Sequence, residues 1–166
     1  LRAGVSRGAQ ENHFRTRTEL IAAAGKFAMD QAAEQARECA ARASKSRDPV
    51  KSFLDDSRAF FFSPSYFAMV ELALGARSDS NLAKIHAPLF KDFRSLLDGI
   101  WADVFRQAGY DDQRIKGFLE LSHYLLRGMV LAQICFPRKP DVETLMRQWK
   151  QLAQAALGRP KLHRNK

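Results

Sequence analysis

Residues 6–13 hold Arg7, Gln10, Asn12 and His13 on a stretch with little apolar content. Arg, Gln and Asn can each bridge two groups on one base edge, Arg on guanine and Gln or Asn on adenine. Ser6 opens the same stretch, and Arg17 follows it. Ala9, a small residue, shares the helix. The chemistry available is recognition of duplex DNA. Taken alone, a short polar helix is most often a plain surface helix.

Other reactive types are scattered. The four histidines are His13, His86, His123 and His163, and no HExxH pattern joins them. Surface or hydrogen-bonded core histidine is the simpler reading of each. No nucleophile elbow and no phosphate-cradling glycine loop occurs. The pairs Asp55-Asp56 and Asp111-Asp112 fit helix caps and exposed faces better than a catalytic dyad. The residues therefore predict no enzyme, no metal site and no cofactor. Cys39 and Cys135 sit in no ligand spacing, and are expected to be reduced and structural in a cytoplasmic protein.

Aromatics are the more informative group. "AFFFSPSYF" at 59–67 sets five rings across a Ser-Pro break. Three consecutive phenylalanines cannot all face one core, because each helical step turns about 100°. At least one must meet a second apolar surface. The expectation is an apolar cavity within 50–130, lined from Phe53, Phe60, Phe61, Phe62, Phe67, Phe90, Phe93, Trp101 and Tyr124. His86, His123 and Arg127 are the candidates for its few orienting polar groups.

The elements that would position these groups are all helical. Ser6 can cap a helix over 6–13. "TRTE" at 16–19 is a capping box opening a long Ala-rich helix to Ala43. Asp48-Pro49 and Ser63-Pro64 are cap-plus-proline starts for helices that end near Phe61 and Ala76. Val50, Phe53, Leu54, Ser57 and Phe61 share one face of the first of these. Leu82, Ile85, Leu89, Phe93, Leu96, Ile100 and Val104 step by three or four, giving a helix over 80–108 that Pro88 kinks or restarts. A further helix runs from Asp111 or Asp112 to Cys135, apolar on more than one side, and a last one spans 141–157. No strand-period alternation appears. The prediction is all-α, about seven helices.

An apolar face on two sides must be covered on two sides. Two copies of the helices at 111–135 and 141–157 would form a four-helix interface, with Leu121, Leu125, Gly128, Leu131, Leu145, Trp149 and Leu152 between them. The stretch "GFLELSHYLLRGMVLAQICF" contains Glu120, His123, Arg127 and Gln133, too polar to cross a membrane.

Charge is distributed unevenly over the 166 residues. The net charge is +9, of which 1–47 and 158–166 carry +4 each, while 48–157 is nearly neutral. A basic N-terminal end fits a polyanion partner. The tail "GRPKLHRNK" reads as a solvated terminus.

"RAGVSRGAQENHFRTRTELIAAA" resembles the recognition helix and following linker of the TetR family of transcriptional regulators. Ala3, Gly4, Val5, Ser6, Gly8, His13, Phe14 and Leu20 match that family's pattern, and Arg17 stands where it has Lys. "VELALGARSDSNLAKIHAPLF" at 70–90 resembles a segment of the ligand domain. Gln10 stands at a usual Leu, and Glu11 at the aromatic that often touches phosphate. The resemblance implies that two further helices precede Leu1, and that Ser6, His13 and Arg17 hold phosphates and set the register. It implies 1–20 as the C-terminal part of a helix-turn-helix domain, 21–158 as a ligand-binding and dimerisation domain, and 159–166 as a basic tail. It also implies an all-α homodimer, a repressor whose grip on a double-stranded operator is released by a small apolar effector. The rival reading is an all-α small-molecule carrier or sensor with no DNA role. Whether residues upstream of Leu1 complete a three-helix domain separates the two.

Overall fold

The computed structural model describes residues 14, 16–158 and 160. The expected helix over 6–13 lies outside them. Thr16 opens α1 (Arg17–Ala43), its Oγ1 accepting from the Glu19 N–H at 3.1 Å. Met29, Ala33, Ala36, Ala40 and Ala43 are buried at helical spacing, and their small side chains let α1 lie close along α4. Asp48 caps α2 (Pro49–Phe61) by accepting from the Lys51 N–H at 2.8 Å. Its other oxygen accepts from Lys150 Nζ at 2.5 Å, tying the start of α2 to α6. The buried residues of α2 are the five expected, Val50, Phe53, Leu54, Ser57 and Phe61. Ser63 caps α3 (Pro64–Gly75) through the Tyr66 N–H.

Asp79, Asp111 and Asp141 cap α4 (Ser80–Gln107), α5 (Asp112–Cys135) and α6 (Val142–Leu157). α4 runs unbroken through Pro88, against the expected kink or restart. Pro88 and Lys84 are both exposed, so the carbonyl that loses its N–H partner faces solvent. Gly109, at φ 88°, makes the turn between α4 and α5 in a conformation that favours glycine. The described residues are helical and contain no strand, as the sequence predicts.

Phe53 is the hub of the core. Its ring lies 5.2 Å from Trp101, 5.8 Å from Phe105 and 5.2 Å from Phe118. Phe118 stacks on Trp149, whose Nε1 donates to Ser122 Oγ at 2.9 Å. The Ser122 hydroxyl donates in turn to the Phe118 carbonyl, so the buried polar pair is satisfied. Of the two cysteines, Cys39 is half-buried, its thiol pushed up to about 11 by burial and by Asp56. Cys135 is exposed at the end of α5 and supports no core.

Candidate functional site

The three phenylalanines pack on one core, against the expected second surface, with Phe61 inside it and Phe60 and Phe62 at its edge. Phe61 faces the core, while Phe60 turns toward Tyr66 at 5.3 Å and Phe93 at 5.7 Å. Phe62 and Phe67 are half-buried and pack on the core from outside. Phe53, Phe61, Phe93 and Trp101 are 8% exposed or less. The void that reaches Phe53, Phe60, Phe61, Trp101 and His123 is ≈ 30 Å³, room for about one water. That part of the expected cavity is packed solid, because edge-to-face rings fill it.

A ligand-sized space lies to one side, between α3, α4 and α5. This cleft has a volume of ≈ 350 Å³. Tyr66, Met69, Val70, Ala73 and Leu74 of α3 form one wall. Phe90 of α4 and Arg127 and Leu131 of α5 form the rest, with Arg77 on the rim. Two larger depressions carry more charged side chains, one with Arg94, Asp98, Arg106 and Lys116 round Ala102, Ile115 and Leu119, the other with Glu34, Glu38 and Arg42. Apolar walls with a few polar groups suit a small molecule better. Phe90 and Arg127 are thus the two sequence candidates that line the cleft. Of α3 only Phe67 was among the sequence candidates, and the residues that form the wall were missed. Its signal was an apolar surface on every side except Glu71, more than one core can absorb.

Behind the cleft lies a small polar cluster. Arg94 Nε donates to Asp98 Oδ2 at 2.8 Å. His123 Nδ1 is 3.3 Å from Asp98 Oδ1, but neither atom has a hydrogen bond there. Burial, with the Arg94 and Arg127 guanidiniums close by, pushes the imidazole pKa down to about 3. His123 is therefore folded neutral, whereas unfolded it titrates near ~6.5. Its contribution to stability is complete above that value and falls away as pH drops toward 3. Urea unfolding at pH 7 and pH 5 should show a loss of about 2 kcal/mol, at ~1.4 kcal/mol per unit below ~6.5. His123→Gln should remove most of that difference. An unchanged difference would mean that His123 is not held neutral. His86, also lowered by burial, acts in the same direction and remains in both proteins.

His86 stacks on Phe90 at 5.6 Å, and the Arg127 guanidinium carbon sits 5.3 Å from the same ring. Beyond His86, side chains of α1 (Ile21, Ala22, Met29) meet Leu72, Leu82 and Leu89 round a void of only ≈ 10 Å³. A Cβ on Gly25 would touch Leu72 Cδ1 at 3.5 Å, so the Leu72 side chain of α3 reaches the α1 backbone there. The cleft is thus two side chains away from the first half of α1.

Tyr124 is 61% exposed and stands outside the cleft, on the face of α5 opposite the core. Leu121, Gly128 and Leu131 share that exposed face, and Leu152 of α6 is 60% exposed. Leu125 and Leu145 are half-buried beside it. Trp149 belongs to the core of its own chain, stacked on Phe118. Gly128 has open space above it. Of the DNA candidates, Ser6, Arg7, Ala9, Gln10, Asn12 and His13 lie outside the described residues. Arg17 is exposed on the first turn of α1.

Among the described residues no group of three or more His, Cys, Asp or Glu is placed to hold a metal ion. No described helix is long and apolar enough to cross a membrane. The sequence is 26% identical over 152 residues to the HTH-type transcriptional regulator CymR of Pseudomonas putida. The match covers 92% of this chain and 75% of that protein. No family model matches the chain, and no solved structure matches it.

Proposed function

We propose that the chain is a DNA-binding transcriptional regulator of the TetR type, a cytoplasmic homodimer that acts as a repressor and is released from its operator by a small effector. Residues 1–20 would complete the reading domain, 21–158 would sense and dimerise, and 159–166 would form a basic tail. The observation that carries this reading is the ≈ 350 Å³ cleft set against α1 through Leu72 and through Phe90 and His86. α1 begins at Arg17, directly after the segment that resembles a recognition helix. An occupant that displaces α3 or the Phe90 ring displaces the first half of α1 with it. In a dimer the two readers must sit about one helical turn of DNA, ~34 Å, apart. A small rotation of each α1 is enough to spoil that spacing. The likeness to a regulator over 92% of the chain supports the same reading.

Two side chains separate reading from anchoring. Arg7→Ala should cost about 1–3 kcal/mol on the operator and flatten sequence preference. Arg17→Ala should weaken all duplexes alike and reduce the salt slope by about one unit. The check is duplex binding by the full-length gene product across a salt series. Loss of preference in Arg17→Ala alone would reverse the two roles. Absence of duplex binding at every salt concentration would leave the carrier reading.

A further inference from the structure

We infer that the cleft binds an organic acid, with an apolar body against Met69, Val70 and Phe90 and a carboxylate on Arg127. This rests on the reading of the cleft as the effector site. The argument is one of charge. Asp98 is the carboxylate of the neighbouring cluster, and Arg94 already holds it at 2.8 Å. Arg127 has no carboxylate within ion-pair distance among the described residues, and its Nε is fully buried with no hydrogen-bond partner. The ring of Phe90 beneath it, 5.3 Å from the guanidinium carbon, offers only a weak substitute.

Burying one donor of a guanidinium without an acceptor is costly, and the group beside the other nitrogens, the Tyr66 hydroxyl, is neutral. A carboxylate in the cleft would give Arg127 the anionic partner it lacks, because the planar fork of Arg donates to two carboxylate oxygens side by side. Arg77 on the rim adds a second positive charge, and the Tyr66 hydroxyl, beside Arg127, can donate its proton to a ligand oxygen. A neutral apolar ligand would fill the space and leave Arg127 unsatisfied. A cation would be repelled by both guanidiniums. The walls and the charge together select an amphiphilic anion.

The test uses matched pairs on the whole chain by isothermal titration at neutral pH: octanoate against 1-octanol, and 3-phenylpropionate against 3-phenyl-1-propanol. The acids should bind at least tenfold more tightly than the alcohols. Arg127→Met should erase that preference, with retained helical circular dichroism reporting that the variant is folded. Ala73→Phe, which fills the cleft, should abolish binding of both kinds. If acids and alcohols bind the wild type equally and only Ala73→Phe matters, the anion inference is overturned while the cleft remains an effector site. If Ala73→Phe changes nothing, or if neither class binds, the effector-site reading falls with it.

Discussion

Phe53→Ala should lower the free energy of unfolding by about 3–5 kcal/mol. Four aromatic rings converge at this point, with Trp101, Phe105 and Phe118 all within 5.8 Å of Phe53. The side chain is 1% exposed and touches α4 and α5 from α2. Truncation leaves a void that rigid rings cannot collapse into. Domains of this size have about 5–15 kcal/mol in total, so the loss takes a large share. The experiment is a urea titration read by the tryptophan fluorescence of Trp101 and Trp149. The same experiment separates core from pocket. A residue lining an open ligand space would cost far less to truncate, because water already fills the gap. A loss below about 1 kcal/mol would place Phe53 on such a space and return it to the ligand-binding set.

The second large effect concerns assembly. Leu121→Glu with Tyr124→Glu should convert a dimer to a monomer at micromolar concentration. The two side chains are 55% and 61% exposed in the single chain, so their replacement removes no contact within it. In the paired protein they would bring four carboxylates into an apolar seam of at least about 1,000 Å². Stability of the monomer should stay within about 0.5 kcal/mol. Operator affinity should fall by roughly 10²–10⁴, because two linked readers become two separate ones. Sedimentation velocity gives the answer directly. The same mass for wild type and variant, at either oligomeric state, would remove this face from the interface.

Helix ends were the most legible feature of the sequence. Thr16, Asp48, Ser63, Asp79, Asp111 and Asp141 each cap a helix through a side-chain oxygen. These are local interactions, and local rules found most of them. The core face of α2 was legible because one face of a short helix meets one core. The cleft was less so. Periodicity shows which side of a helix is apolar, not which neighbour covers it. Phe53 and Phe90 looked alike on that measure, yet one is sealed by Trp101 and Phe105 while the other borders open space. Tyr124, expected in the pocket, and Trp149, expected at the interface, were both misplaced for the same reason. Tyr124 is on the outer face of α5, whereas Trp149 is drawn into the core by the stack on Phe118 and the hydrogen bond to Ser122. Arg127 was legible as a polar group of the pocket, but the burial of its Nε without a partner was not, since a lone arginine on an amphipathic helix is ordinarily solvated.

The most direct measurement of the central claim is selection of duplexes by the full-length gene product from a random-sequence pool, followed by affinity on the enriched site. The account predicts a two-fold site with half-sites about one helical turn apart. It also predicts affinity for that site at least about 10³ above random duplex, with a steep salt dependence. A pool that stays random after repeated rounds at low salt, with the protein dimeric and folded, would contradict it.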